Sequence, residues 1–186
     1  MNRAEHASEA PSPFLVAQLS RLPKGRVLDI ASGYGRNGIY LASQDGFEVE
    51  AYDRDEAAVS FSNQKAERLN LSFSARCINL EHAFPAEHRY AVVTCFYYLD
   101  RNIIQQIKSV LEIGGVIVYE TFLIDQHEQF GKPARSSFCW RHNELLESFL
   151  DFRVLYYHEG MMVPQDKEPQ TNRGRWVAQL LAERIA

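Results

Sequence analysis

Three absences limit what this sequence can encode. It has only three cysteines, Cys77, Cys95 and Cys139, and their odd number and wide spacing predict neither a disulfide framework nor a cysteine metal site. No apolar run approaches the roughly 18 residues that span a bilayer. The polar start MNRAEHASEA lacks the apolar segment of a signal peptide. We therefore expect a cytoplasmic protein that does not enter a membrane.

An excess of basic residues is also absent. The chain has 20 Lys and Arg against 24 Asp and Glu, which gives a formal net charge of -4. Such a chain has no overall positive field to attract a nucleic-acid backbone. Its six histidines are scattered without metal-ligand spacing. These features predict no nucleic-acid partner and no metal.

What remains is an ordinary globular composition. The chain has 186 residues, of which 46% are hydrophobic and 24% charged, and this length is typical of one domain. We expect a single domain over 1–186, with an N-terminal helical region at 1–24 and the core at 26–182.

Strand and helix patterns alternate along that core. Apolar runs predict five strands separated by helices, and a final pair of strands with no helix between them. Alternation of this kind predicts an α/β, doubly wound, Rossmann-like sheet of seven mostly parallel strands, with an antiparallel C-terminal hairpin at its edge. The predicted strands are 26–30, 47–52, 71–78, 91–96, 116–122, 152–157 and 176–181.

Polar residues at helix starts support this assignment. Asp55, Asp100 and Asn143 are placed to cap the helices that follow the second, fourth and fifth strands. Gly114-Gly115 is expected to end the second of these helices. The segment 123–140 is expected to be a long irregular loop. It either folds over the acceptor site as a lid or packs its aromatic side chains on the core as an ordinary loop.

A glycine-rich loop follows the first strand. Gly33, Gly35 and Gly38 match the G-x-G-x-x-G spacing that lets a backbone turn sharply and approach a ligand. The loop opens a helix, and Asp53 ends the next strand at the spacing of a ribose-binding carboxylate. Together these features predict a ligand that contains a nucleoside.

Asp29 helps to choose among such ligands. It lies in an otherwise apolar strand just before the loop, where a buried carboxylate is unfavourable unless it is paired. A nearby phosphate would raise that cost, whereas the ammonium and sulfonium of S-adenosylmethionine would lower it. The alternative is that Asp29 accepts structural hydrogen bonds. We favour S-adenosylmethionine over NAD.

With these residues the sequence resembles the class I S-adenosylmethionine-dependent methyltransferases. Their D-x-G-x-G-x-G motif is matched by Asp29-x-Ala31-x-Gly33-x-Gly35, with Ala31 in place of the first glycine. That replacement is tolerated if the residue needs no positive φ. The likeness continues through Asp53 and through Asn79-Leu80-Glu81. Further runs, Ser32 to Asn37 and Tyr119 to Phe122, resemble small bacterial methyltransferases of the tellurite-resistance type.

The resemblance implies a role for each residue of the first loop. Asp29 would lie near the amino group of the methionine moiety. Ala31, Gly33 and Gly35 would line that moiety, together with Tyr34 between the two glycines. Phe96, placed just past the fourth strand, would lie under the donor near the reacting methyl.

The resemblance also assigns the adenosine end of the donor. Asp53 would hold both ribose hydroxyls and Arg54 would flank the adenine. Asn79 and the Leu80 backbone would meet the adenine edge, where family members often carry an acidic residue. Asn can still accept a hydrogen bond from the adenine amino group, and Glu81 is the alternative partner.

Acceptor residues are expected at the ends of the fourth and fifth strands. Tyr97 and Tyr98 are candidate catalytic residues together with Glu120. Their aromatic faces can bound a cationic or planar acceptor; alternatively, one of them belongs to the core and the other to the surface. Glu120 is a base, a substrate ligand or a structural acceptor, and the sequence leaves these three roles open. Arg101 binds an acidic substrate or is solvated. Methyl transfer depends mainly on proximity and orientation, so no catalytic triad is required.

The predicted function is in-line methyl transfer from S-adenosylmethionine to a small molecule, by a monomer or homodimer. An NAD-dependent oxidoreductase is the first alternative, although the chain lacks a Tyr-x-x-x-Lys pair, since Arg101 stands four residues after Tyr97. A non-catalytic module that binds the adenosyl ligand is the second. An RNA or protein methyltransferase is the third, and no basic tract supports it.

Overall fold

The buried strands assemble into one mixed sheet. In this computed structural model, which describes residues 10–84, 89–163 and 174–186, five successive strands are parallel and two further strands are antiparallel to their neighbours. The strands are β1 (Gly25–Ile30), β2 (Phe47–Asp53), β3 (Phe73–Cys77), β4 (Tyr90–Phe96), β5 (Leu111–Phe122), β6 (Arg153–Met162) and β7 (Arg175–Glu183).

The strand order is β3-β2-β1-β4-β5-β7-β6. The chain reverses its direction across the sheet between β1 and β4, and such a switch point is where open α/β sheets bind ligands. Strand β4 is central, and all seven of its residues are buried. The prediction of a mostly parallel sheet with an antiparallel hairpin at its edge is confirmed.

Apolar side chains of successive strand residues alternate between the two faces of the sheet, and each face has its own helices. Val27, Val49 and Val92 pack with α1 and α2, whereas Leu28 and Val93 pack with α4 and α6. In the described part of the chain no helix is long and apolar enough to cross a membrane. The helices are α1 (Pro13–Gln18), α2 (Arg36–Ala42), α3 (Glu56–Arg68), α4 (Ile104–Val110), α5 (Ile124–Phe130) and α6 (Glu144–Glu147).

Helix α1 lies against the antiparallel hairpin. The Phe14 ring lies 5.3 Å from the Tyr156 ring between centroids, and the Leu15 side chain is fully buried. Just after the helix, Arg21 donates to the Leu155 carbonyl at 2.9 Å. The described start of the chain is therefore fixed against β6.

Two of the three predicted helix caps are confirmed. The Asp55 carboxylate accepts hydrogen bonds from the amides of Ala57 and Ala58 at the start of α3. Asp100 accepts from the Asn102 amide at the start of a short 3-10 turn that leads into α4. The third cap, Asn143, was a wrong prediction. Its φ is +64° and its side chain makes no capping hydrogen bond to the four-residue helix α6.

The helix stop at Gly114-Gly115 was also wrong. Helix α4 ends at Val110, and Leu111 is already extended, with φ -70° and ψ 142°. Both glycines lie inside β5, where the pairing with β4 shifts register. A side chain at Gly115 would meet the Tyr90 carbonyl oxygen at 2.9 Å, so this glycine permits the close approach of the two strands.

The segment 123–140 is more regular than expected. It begins with α5, passes a cis Lys132-Pro133 peptide bond and forms a 3-10 turn at Ser136–Phe138. Its two ends meet, since the Trp140 amide donates to the Phe122 carbonyl. Strand β6 extends to Met162, beyond the end at 157 predicted from the sequence, and 164–173 lie outside the described residues.

Candidate functional site

A cavity of about 560 Å³ lies at the carboxyl ends of all five parallel strands. Ala31 follows β1, Asp53 ends β2, Ile78 follows β3, Tyr97 follows β4 and Phe122 ends β5. Its size is in the range of small-molecule sites, and it lies at the switch point of the sheet. It is also lined by Arg54, Asn79, Leu80, Glu81, Tyr98, Leu99, Asp100, Pro133, Arg135 and Phe138.

The glycine loop turns through three left-handed residues. Ala31, Gly33 and Gly35 have φ values of +52°, +54° and +77°. Alanine was said to be tolerated in place of glycine if the residue needs no positive φ, and Ala31 does not meet that condition. The left-handed region costs an alanine about 1–2 kcal/mol. Strain of this kind is concentrated at functional sites.

Asp53 is held rigidly at the end of β2. One carboxylate oxygen accepts from the Gly33 amide at 2.7 Å and the other from the Asp55 amide at 2.9 Å. These bonds tie the glycine loop to the second strand. Each carboxylate oxygen keeps a second acceptor position, and the side chain lines the cavity.

Asp29 is buried beside the cavity and does not line it. Its Oδ1 accepts from the Thr94 hydroxyl at 2.7 Å and its Oδ2 from the Gly38 amide at 3.0 Å. Burial is the largest influence on this carboxyl, and it raises the pKa to about 6, although both hydrogen bonds act to lower it. The structural hydrogen bonds considered as the alternative role of Asp29 are thus present.

The predicted adenine residues lie together at one end of the cavity. Asn79 Oδ1 accepts from the Glu81 amide at 3.1 Å, which shapes the turn after β3. Arg54 and Glu81 form an exposed ion pair at 3.5 Å on the rim. Leu80 is buried and lines the floor. This end of the cavity therefore has an apolar floor and charged side chains at its rim.

Tyr97 and Tyr98 both line the cavity at the end of β4. Tyr97 has a φ of +56°, so a second strained residue lies at a strand end next to Ala31. Burial raises the pKa of each phenol to about 12. For Tyr97 the Glu120 carboxylate is the second cause. Both side chains therefore remain protonated at neutral pH.

Two guanidinium groups flank Tyr97. Arg36 and Arg175 each lie 5.8 Å from the centre of its ring, and Arg175 also contacts the phenol oxygen. The Phe122 ring lies 5.0 Å away between centroids. This side of Tyr97 combines aromatic surface with positive charge.

Glu120 is enclosed in a polar network behind Tyr97. Its side chain is 4% exposed and does not line the cavity. One oxygen accepts from the Ser12 hydroxyl at 3.3 Å and the other from the Gln179 amide at 2.6 Å. The geometry thus provides the structural acceptor role, one of the three roles that the sequence left open.

Four other predicted site residues lie outside the cavity lining. Gly33, Tyr34 and Gly35 form the outer turn of the loop, and the Tyr34 ring packs at 5.4 Å on Phe61. Phe96 is the last residue of β4, not a residue past it, and is buried with the apolar residues beneath α1. That position follows from the alternation of strand side chains, which turns Phe96 away from Cys95.

Sequence reasoning missed several lining residues. Phe122 was not proposed for the site, and Pro133, Arg135 and Phe138 were included only as part of the segment 123–140, not as individual site residues. The one available signal was the position of Phe122 at the end of a parallel strand, where side chains meet the ligand edge. The others reach the cavity only through the path of 123–140, which no local pattern specifies.

Comparisons with known proteins identify the family and agree with this fold. The family model described as "Tellurite resistance protein TehB" matches residues 15–178. A curated relative from Haemophilus influenzae, named a probable S-adenosyl-L-methionine-dependent methyltransferase TehB, is 30% identical over 142 residues, which are 73% of this chain and 49% of the relative. The chain spans about half the length of the curated relatives it matches.

Solved structures share the fold. TehB from Haemophilus influenzae matches with a TM-score of 0.81 at 24% identity, over 97% of this chain and 65% of that one. A S-adenosylmethionine-dependent methyltransferase from Methanosarcina mazei matches with a TM-score of 0.71 at 16% identity, over 95% of this chain and 99% of that one. The sheet is therefore that of the class I methyltransferases, and the chain belongs to the TehB family.

Proposed function

We propose that this chain transfers a methyl group from S-adenosylmethionine to a small-molecule acceptor. The observation that carries the proposal is the single cavity-lining surface to which all five parallel strand ends contribute. In a TehB-family chain, such a surface offers one end to the donor and the other to the acceptor. The curated relatives are named probable S-adenosyl-L-methionine-dependent methyltransferases, and we propose the same activity for this chain.

The glycine loop fits a donor of this kind. The Ser32 hydroxyl is buried and has no hydrogen-bond partner among the described residues, so it is available to a ligand. A Cβ built on Gly33 would meet nothing within 4 Å, which leaves open space beside the loop. We assign the methionine moiety to this space, next to Ala31.

Asp53 is the proposed ligand of the ribose. Its two backbone hydrogen bonds fix the carboxylate, and the remaining acceptor positions suit two vicinal hydroxyls. We place the adenine between Arg54 and Leu80, with its edge toward Asn79. The Asn79 oxygen already accepts from the Glu81 amide, so its free acceptor position would take the adenine amino group.

Asp29 would act on the donor through charge and not through contact. Its carboxylate is enclosed by Thr94 and Gly38. The positive charges of the donor favour the ionised form of a nearby carboxylate. We therefore propose that Asp29 both anchors the loop to α2 and supplies negative potential to the methionine end.

The donor itself supplies a methyl carbon activated by the sulfonium. The chain's own residues would orient the acceptor and exclude water, which is where most of the rate enhancement in such a displacement arises. Tyr97 and Tyr98 would bound the acceptor with their aromatic faces, and the protonated phenol of Tyr98 would donate a hydrogen bond to it. Glu120 would hold Tyr97 and the N-terminal segment in place through the Gln179 and Ser12 contacts.

A small acceptor suits this end of the cavity. Arg135 lines the cavity, and Arg36 and Arg175 lie beside Tyr97 behind the lining; we infer from these three positive charges an acceptor with negative charge. The family's description names tellurite resistance, and tellurite is a small oxyanion that meets this requirement. We propose it as the first acceptor to test, beside selenite, a thiol and a carboxylate.

Calorimetric titration tests the donor. S-adenosylmethionine and S-adenosylhomocysteine should both bind with one site per chain, and NAD should not. Binding of NAD alone would refute the proposal in favour of an oxidoreductase.

Turnover tests the transfer. Incubation with methyl-labelled S-adenosylmethionine and each acceptor of the panel should release S-adenosylhomocysteine for at least one of them. Donor binding without turnover on any small molecule would favour a non-catalytic adenosyl-binding module.

A further inference from the structure

Arg101 makes an unusually complete set of contacts for a residue at the surface. Its Nε and one terminal nitrogen donate to the two oxygens of Glu144 at 2.5 and 2.8 Å. The terminal nitrogens also donate to the Ser137 carbonyl at 3.0 Å and to the Cys139 carbonyl at 3.0 Å. The guanidinium lies 5.1 Å from the centre of the buried Trp140 ring.

These four hydrogen bonds use four of the five N–H donors of a guanidinium. Arg101 is therefore neither simply solvated nor available to clamp an acidic substrate, the two roles considered from the sequence. The bidentate pair with Glu144 fixes the plane of the Arg101 guanidinium. Because an exposed ion pair alone stabilises a fold only weakly, the backbone carbonyls that the guanidinium binds indicate the role of Arg101 better than the ion pair does.

The two backbone carbonyls held by Arg101 stand on either side of Phe138. This side chain is 48% exposed, although it is a large apolar residue, and it lines the cavity with Tyr98 and Phe122. The backbone on either side of Phe138 is thus fixed by the Arg101 side chain, which belongs to the 3-10 turn that follows β4. A half-exposed aromatic ring held so firmly at a cavity is suited to cover a ligand.

The topology places Phe138 at the acceptor end. The proposed donor residues come from the ends of β1, β2 and β3, whereas Phe138 belongs to the segment that follows β5. Strand β4 lies between these two groups. The segment of Phe138 thus continues from a strand that lies on the other side of β4 from the strand that ends in Asp53.

We propose that Phe138 is a specificity-determining contact of the methyl acceptor and that Arg101 is the positioning residue that sets its place. The inference rests on the proposed function, since it assumes that the cavity holds donor and acceptor together. Lysine in place of Arg101 keeps the charge and the attraction to Glu144 but loses the fork that reaches both carbonyls.

Steady-state kinetics test this proposal. The substrate is whichever of the proposed acceptors gives the highest turnover. Phe138→Ala and Arg101→Lys should each raise KM for that acceptor about tenfold, with kcat and the Kd of S-adenosylhomocysteine changed less than threefold. Because Arg101 acts through Phe138, the double variant should have the KM of Phe138→Ala alone. Additive effects on KM, or an unchanged KM in either single variant, would overturn the inference.

Lys108→Gln is the matched control. Lys108 forms another tertiary ion pair, at 2.6 Å to Asp151, at the end of α4 away from the cavity. Its loss should lower Tm without changing KM, whereas a purely structural Arg101 would behave in the same way as Lys108.

Amide hydrogen exchange gives a readout that needs no acceptor. In the S-adenosylhomocysteine complex, Arg101→Lys should speed exchange at the amides of Phe138 and Cys139 at least tenfold relative to the unsubstituted protein. Unchanged exchange there would overturn the positioning role. Failure of the unsubstituted protein to bind S-adenosylhomocysteine would instead refute the proposed function, and the inference with it.

Discussion

Substitution of Asp29, the buried carboxylate beside the glycine loop, should change how the free energy of unfolding depends on pH. The folded chain binds a proton at Asp29 more tightly than the unfolded chain, because the pKa is raised from 3.8 to about 6, chiefly by burial. At 1.36 kcal/mol per pKa unit the full difference is about 3 kcal/mol. This stabilisation is fully present below pH 3.8 and is lost as the pH rises through 6.

The measurable window lies between pH 5 and pH 8. With a pKa of 3.8 in the unfolded chain and about 6 in the folded chain, the contribution of Asp29 to the free energy of unfolding falls by about 1.4 kcal/mol from pH 5 to pH 8. In Asp29→Asn this contribution is absent. An amide oxygen can still accept from Gly38, and the Thr94 hydroxyl can rotate to accept from the amide nitrogen. The variant should therefore gain about 1.4 kcal/mol relative to the unsubstituted protein between pH 5 and pH 8.

Urea unfolding at several pH values measures this difference directly. Other titrating groups cancel, because they are common to both proteins. Asp45→Asn, which neutralises an exposed carboxylate, is the control for the loss of one negative charge. If the curve of Asp29→Asn runs parallel to that of the unsubstituted protein, the burial of Asp29 does not raise its proton affinity and the reasoning fails.

Three further predictions concern the same edge of the sheet. Asp53→Ala should weaken S-adenosylhomocysteine binding at least tenfold by calorimetry while the far-ultraviolet circular dichroism is unchanged; an unchanged Kd would place the ribose elsewhere. Ala31→Gly should raise the free energy of unfolding by up to about 1 kcal/mol, because relief of the left-handed alanine exceeds the entropy added to the unfolded chain, and a loss of stability would contradict the strain. Glu120→Gln should reduce turnover more than donor affinity, since it removes the charge beside the Tyr97 phenol; equal losses would indicate a general loss of folding.

Local sequence patterns predicted the parts of the site that depend on local chemistry. The glycine loop, the position of Asp53 at a strand end and the Asp55 cap each follow from a few adjacent residues, and each lies where the pattern places it. The alternation of strands and helices was sufficient for the sheet as well. For these features the local sequence preferences agree with the global fold, which is why they can be predicted from the sequence.

Features set by distant contacts could not be predicted. The conformation of Ala31 results from the bonds of its loop to Asp53 and β2, not from an intrinsic preference of alanine. The roles of Arg101 and Glu120 depend on partners 36 to 108 residues away along the chain. No window of neighbouring residues contains that information.

The position of β7 between β5 and β6 dictates an order of assembly. Among the described strands, β6 is paired with β7 alone, although β6 comes before β7 in the chain. Helix α1 in turn rests on β6 through Phe14 and Tyr156. Strand β6 can therefore join the sheet only after the later strand β7 has been made. The contacts of α1 with β6 are thus among the last of the described fold to form.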